Sequence, residues 1–193
     1  MNVLVIVGHQ NPGSFCHSIA EAAVEQLGNL GHEVVFHDLY QEQFDPLLTH
    51  QEITEPDDLD PVVRQHVEEV VAADGYIVVH PNWWGQPPAI VRGWQDRVLR
   101  VGFCYKFGPE GVIGLLGGKR ALVLTTSNTP RDDELRLYGD PLENLWKNCI
   151  FGFCGVTDFV RRNFESVILS SLEQRQGWLD EVRQIVAERF GGE

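Results

Sequence analysis

Short runs of apolar, often β-branched residues alternate along this chain with longer stretches in which apolar residues recur every three or four positions. The first pattern suits strands covered on both faces and the second suits helices with one apolar stripe. Their alternation predicts a parallel sheet with crossover helices. Val3 to Val7, Glu33 to His37, Tyr76 to Val79, Arg120 to Thr126 and Thr157 to Val167 read as the successive strands. After the first strand, Ile19, Ala23, Leu27 and Leu30 share one side of a helix that ends at Gly31. It begins at Ser14 or at Ser18, where Ser18-Ile-Ala-Glu21 has the form of a capping box. Asp57 to Asp60 precede Pro61, which should open a helix running to Ala73.

Beyond the third strand, Pro87 and Pro88 launch a helix with Ile90, Trp94, Val98 and Val101 on one face and Arg92, Gln95, Asp96 and Arg100 largely opposite. Gly102 to Gly118 has many glycines and aromatics but no sustained period, which predicts an irregular loop flanking a site, with Tyr105 and Phe107 as substrate-contact candidates. Asp140-Pro-Leu-Glu143 combines a capping aspartate, a proline at the first helical position and a returning glutamate. Leu142, Leu145, Trp146, Cys149 and Phe153 should form the buried face of that helix. Ser171 to Phe190 closes the chain as a helix. Trp94, Trp146 and Trp178 fall on apolar helical faces and are assigned to the core.

With 193 residues and 43% apolar content the chain suits one domain, residues 1–193. The formal charge of −13 and the lack of a basic run argue against nucleic acid or an anionic membrane as partner. No apolar stretch approaches the roughly 20 residues of a spanning helix, and the chain opens directly on a strand, so a cytoplasmic protein without membrane insertion is expected. Cys16, Cys104, Cys149 and Cys154 form no Cys-x-x-Cys pair and the seven histidines add no ligand pattern, so neither disulfides nor a metal is expected. His32, His37, His50 and His66 read as solvated, and Arg131-Asp-Asp-Glu134 as a solvated charge cluster.

Three connections carry candidate chemistry. Gly8-His-Gln-Asn-Pro-Gly-Ser14 links strand to helix and is either a phosphate-binding turn or a polar connection capped by Ser14; its spacing fits neither Gly-x-Gly-x-x-Gly nor a Walker loop. Trp83 and Trp84 follow the third strand and either stack on a flat ring or pack under the next helix. Thr125-Thr-Ser-Asn-Thr-Pro130 is either the polar rim of a heterocycle site or ordinary turn chemistry. All three follow strands and fall along one sheet edge, where open α/β sheets bind ligands. Tyr138 is either a proton or hydrogen-bond donor at that site or a packing residue.

At these residues the chain resembles the flavodoxin-like NAD(P)H:quinone oxidoreductase family, whose shorter bacterial members include modulators of drug activity and ancillary subunits of potassium efflux systems. The likeness runs nearly full length: Gly8-His9 with Ser14-Phe15, Asp38-Leu-Tyr40 with Phe44-Asp-Pro46, Pro81-x-x-Trp84 with Pro88-Ala-Ile-x-x-Gly-Trp94 and Asp96-Arg-Val98, Thr125-Thr126 and Gly139-Asp140. It implies a flavodoxin-like doubly wound sandwich, a five-stranded parallel sheet with helices on both faces. It also implies a non-covalent flavin, with the phosphate near His9, Ser14, Phe15 and Cys16. The ring would lie near Pro81, Asn82, Trp83, Trp84, Gly85, Thr125, Thr126, Ser127 and Asn128.

A homodimer and two-electron ping-pong transfer from NAD(P)H to quinones follow from the same likeness, with nitroaromatic or azo compounds as related acceptors. A flavin-binding regulatory subunit docked on a potassium efflux transporter, and a flavodoxin-type electron carrier, are the alternatives. Cys16 stands where asparagine is usual, and Gly85 where a bulkier aromatic is frequent. The animal enzymes' tyrosine and histidine relay finds Tyr138 at the histidine position and no tyrosine within Arg131 to Leu135, so the relay is not carried over. The shorter C-terminus points to FMN rather than FAD.

Overall fold

The computed structural model describes residues 1–55 and 58–192. Five parallel strands form one sheet in the order β2-β1-β3-β6-β7: β1 (Asn2–Val7), β2 (Glu33–Asp38), β3 (Gly75–Pro81), β6 (Arg120–Thr126) and β7 (Asp158–Phe164). Side chains alternate across this sheet, so each strand feeds two cores. Val3, Val5, Val7, Ile77, Val79, Leu122 and Leu124 pack toward α1 (Phe15–Asn29) and α7 (Leu172–Phe190). Leu4, Ile6, Tyr76, Val78, Ala121 and Val123 face α3 (Pro61–Ala72), α4 (Ala89–Val98) and the segment around Trp146. Trp94 and Trp146 are buried, and Trp178 packs half-buried on the α1 side.

Strand order reverses between β1 and β3, so the loops leaving them diverge and open a crevice at the carboxyl edge. Hydrogen bonds continue past the strand ends, from the Gly8 N–H to the Val79 carbonyl (3.0 Å), from Asn82 to Thr126 (2.7 Å) and from Ser127 to Phe164 (2.9 Å), which holds the loops to the sheet. Ser14, not Ser18, caps α1 by accepting from the His17 N–H. Helix α3 opens at Pro61 as expected, with Asp60 as its cap; Asp57 lies outside the described residues.

Several expectations are corrected. The last strand is shorter, Asp158–Phe164, because Val167 enters a 3-10 turn, Val167–Leu169. Gly102 to Gly118 contains a hairpin, β4 (Tyr105–Gly108) with β5 (Gly111–Gly114), whose outward-facing side chains left no alternating pattern to read. Val101 lies beyond α4 and is exposed, while Gln95 and Arg100 are buried on its supposed polar face. The segment from Asp45 to α2 (His50–Thr54) wraps over that face: the Arg97 Nε donates to Glu52 (3.0 Å), and Arg100 donates to the Glu52 carbonyl.

The helix opened at Asp140, α6 (Pro141–Asn144), continues as a π-helix over Leu145–Gly152. Wider winding puts Phe151, five positions after Trp146, on the buried face, and leaves Cys149 and Phe153 exposed and Leu145 half-buried. Asp140 caps as expected, but Glu143 turns to Arg161 instead of back to the cap.

His37 and His66 are buried rather than solvated, with ring centroids 4.0 Å apart. His37 bridges Glu42 (2.9 Å) and Glu69 (2.6 Å), and the Trp94 indole N–H donates to His66 Nδ1 (3.1 Å). His37, Glu42 and His66 bring ligand-type atoms within 4.8 Å of one another. The indole donor, however, requires a lone pair on Nδ1 of His66 and so leaves the ring proton on Nε2, which makes this a hydrogen-bonded cluster.

Candidate active site

Two adjoining cavities open at the carboxyl edge of the sheet and share Asn82 as a wall. The smaller, about 210 Å³, is lined by His9, Phe15, Cys16, Pro81, Asn82, Trp83, Thr126, Ser127, Asn128 and Val167. None of these lining residues carries a carboxylate, in a chain with formal charge −13. It ends at the start of α1, where the amides of Phe15 and Cys16 occupy the first two helical positions and face no intrahelical carbonyl. Gly8 lets the loop pass close against α4: a Cβ there would meet Val91 Cγ2 at 2.1 Å.

His9 accepts the Asn11 N–H at Nδ1 (3.1 Å), which leaves a donor at Nε2. Burial holds its pKa below 6.5, and nearby His17 adds to this against the Asn11 hydrogen bond. The His9 and Trp83 rings lie 6.3 Å apart. Cys16 is buried, its Sγ 3.3 Å from Thr126 Oγ1, and burial pushes its thiol up to about 12, so it stays protonated near neutrality. Ser14 Oγ is occupied by His17 Nδ1 (2.8 Å), and His17 Nε2 by Asp38 (2.9 Å). Ser14 and Thr125 are the two predicted cofactor residues that line neither cavity. Thr125 is fully buried and donates to Asn163 Oδ1 (2.8 Å) while accepting from Arg161 (2.9 Å).

The larger cavity, about 490 Å³, is lined by Asn82, Trp84, Gly85, Thr129, Glu134, Tyr138 and Pro141. Trp84 and Gly85 occupy the middle of a tight turn closed by paired Trp83 and Gln86 backbone hydrogen bonds (2.9 and 3.0 Å). Both have left-handed φ, +57° and +73°, the signature of a type I′ turn, which is strained for a tryptophan. The Trp84 side chain is fully exposed on the cavity rim, so it is not core, and Trp83 is partly exposed at 39%. A Cβ at position 85 would reach Pro141 Cγ at 2.7 Å, which accounts for glycine there.

Across the opening, α5 (Arg131–Asp133) runs into a π-helical turn, Glu134–Tyr138, terminated by left-handed Gly139. The wider turn carries Glu134 inward to 5% exposure, which corrects the expected solvated cluster, and leaves Tyr138 exposed at the rim. Apart from its neighbours' charge, nothing around Glu134 in the chain marks it as a site residue. Arg161 anchors this wall from β7, donating to Asp140, to Glu143 (3.2 Å) and to Thr125. Tyr105 and Phe107 line neither cavity: Tyr105 packs edge-on against Phe153 (4.8 Å between centroids), and Phe107 is 71% exposed on the hairpin.

Strand order, switch-point crevice and twin cavities define a doubly wound α/β protein of the flavodoxin-like class. The chain belongs to the flavodoxin-like NAD(P)H:quinone oxidoreductase family: the family model described as flavodoxin-like fold matches residues 1–188. It is 30% identical over 189 residues to the protein of Haemophilus influenzae named "Uncharacterized NAD(P)H oxidoreductase", covering 93% of this chain and 91% of that one. It is 31% identical over 213 residues to the mouse protein named "Ribosyldihydronicotinamide dehydrogenase [quinone]", covering 96% and 92%. The crystal structure of Smu.1420 from Streptococcus mutans superposes with a TM-score of 0.88 at 33% identity, over 97% of this chain and 100% of that one.

Proposed function

We propose that this chain is a flavin-dependent NAD(P)H oxidoreductase that reduces quinones, and related nitroaromatic or azo acceptors, in two-electron steps. The observation that carries the reading is the pair of cavities joined through Asn82, one suited to a phosphate and the other to flat rings. His9 and the amides of Phe15 and Cys16 would hold the phosphate, with Thr126, Ser127 and Asn128 along the polar tail. Pro81, Asn82 and Trp83 would support the ring, and Trp84, Gly85 and Tyr138 would bound the space where NAD(P)H and acceptor take turns. When bound, the flavin supplies the hydride-carrying ring, and the protein supplies orientation and exclusion of water.

Support for FMN over FAD is the small cavity, which ends at a single helix start. A cytoplasmic homodimer belongs to the same reading; among the described residues no helix is long and apolar enough to cross a membrane. Exposed Phe107, Val112 and Ile113 on the hairpin favour pairing of two copies, in which the hairpin of one copy covers the other's larger cavity and gives Tyr105 and Phe107 their substrate-facing role. Purified protein should be yellow with flavin absorption and should oxidise NADH or NADPH only when menadione or benzoquinone is added. Protein that takes up neither FMN nor FAD would refute the proposal, and a stable one-electron semiquinone would favour the electron carrier instead.

A further inference from the structure

The larger cavity holds a charge that the proposed chemistry does not use. Glu134 is 5% exposed, yet it lines the opening. Its Oε1 accepts from Asn82 Nδ2 (3.1 Å), while Asn82 Oδ1 accepts from the Gly85 N–H (2.9 Å), so the amide is locked with its nitrogen toward the carboxylate. The arginines of this region are engaged elsewhere, Arg131 with Glu165, Arg136 with Asp133 and Arg161 with Asp140. Among the described residues Glu134 enters no ion pair, and its second oxygen has no hydrogen-bond donor. The same cavity has the Trp84 indole and the Tyr138 ring on its walls. A carboxylate on the floor attracts positive charge, and an aromatic face does so through its quadrupole.

We infer that the larger cavity selects flat ring ligands that carry a positive charge over neutral and anionic ones, with Glu134 as the specificity-determining residue. This rests on the reading that donor and acceptor meet the flavin there. A dihydronicotinamide that gives up hydrogen with its bonding pair to the flavin becomes a pyridinium cation, and Glu134 stabilises that charge as it develops. Anionic quinones meet the same carboxylate as a barrier.

The test uses rings of one size and three charges: 1-methylnicotinamide (cation), nicotinamide (neutral) and nicotinate (anion). Flavin uptake is measured first, and the series is then titrated into the FMN-loaded protein while the flavin absorbance is followed. The cation should bind about tenfold more tightly than the anion. Glu134→Gln, which still accepts from Asn82, should bring the two within about twofold of each other. Should that variant fail to fold, Trp84→Leu should weaken the cation about threefold more than the anion. Equal binding across the series, no binding at all, or an unchanged ratio in Glu134→Gln overturns the inference. If the protein takes up no flavin, the functional proposal falls, and calorimetry with the same series on the flavin-free protein still decides the charge preference of the cavity.

Discussion

Acidification from pH 8 to pH 5 should destabilise this protein, because two histidines are buried in forms that cannot accept a proton without losing a partner. His80 is fully buried; the Trp146 indole donates to its Nε2 (2.9 Å) and its own Nδ1–H donates to the Pro81 carbonyl (2.8 Å). A second proton would set one donor against another. Burial, with Arg161 adding to it and the Pro81 bond opposing, lowers its pKa from 6.5 to about 4. Burial also lowers His66 to about 4, helped by His37 and opposed by Glu69, with Trp94 in the role of Trp146.

Between the two values the unfolded chain binds more protons than the folded one, so stability rises with pH across that window and is lost as pH falls from 6.5 toward 4. From pH 8 to pH 5 each histidine should cost about 2 kcal/mol, and the pair about 4 kcal/mol. With a urea dependence of about 2 kcal/mol per molar, the unfolding midpoint followed by tryptophan fluorescence should drop by about 2 M. His80→Gln keeps an acceptor for Trp146 and a donor for Pro81, and should remove about half of that drop. A midpoint that moves less than about 0.5 M, or a pH dependence unaltered in His80→Gln, would refute the assignment.

Three further outcomes are expected. Arg161→Met leaves the Asp140 carboxylate unpaired beside the cavity wall and should cost about 3 kcal/mol in urea unfolding; a loss below about 1 kcal/mol would show that the wall does not depend on it. Iodoacetamide on the native protein should label exposed Cys149 and spare Cys16, whose thiol burial holds near 12, with all four cysteines labelled in urea, as mass spectrometry would show. Trp84→Gly relieves a left-handed tryptophan and should gain up to about 1 kcal/mol of stability while weakening ring-ligand binding up to about tenfold; loss of both, or of neither, would count against the turn geometry.

The strands and their caps were legible because each is a local signal: Val3 to Val7 is apolar throughout, and Ser14, Asp60 and Asp140 sit where a helix start needs an acceptor. The rim followed from these, since parallel strands put the residues after Val7, Pro81 and Thr126 on one edge. Features created by the tertiary structure were not legible. A period of five has no place in a helix template, which puts Cys149 and Phe153 inside and overlooks Phe151, the residue that the wider winding buries. Burial of His37, His66 and Gln95 comes from segments remote in sequence closing over them, and nothing in their immediate neighbours announces it. Thr125 has the residue type and position of a rim group, yet its hydroxyl points into the β6–β7 layer, where Asn163 and Arg161 claim it.

The tight turn at Trp83 to Gln86 fixes the backbone of Trp84 while leaving its indole free of packing neighbours. A plate on a rigid hinge pin can swing about its two side-chain torsions without disturbing the frame that carries it. Guests of different thickness can therefore be admitted by rotating one residue, with no rearrangement of the sheet or its helices. Tolerance for varied guests, on this view, is stored in a single unsupported ring, and a substitution that gave that ring a packing partner would narrow the range.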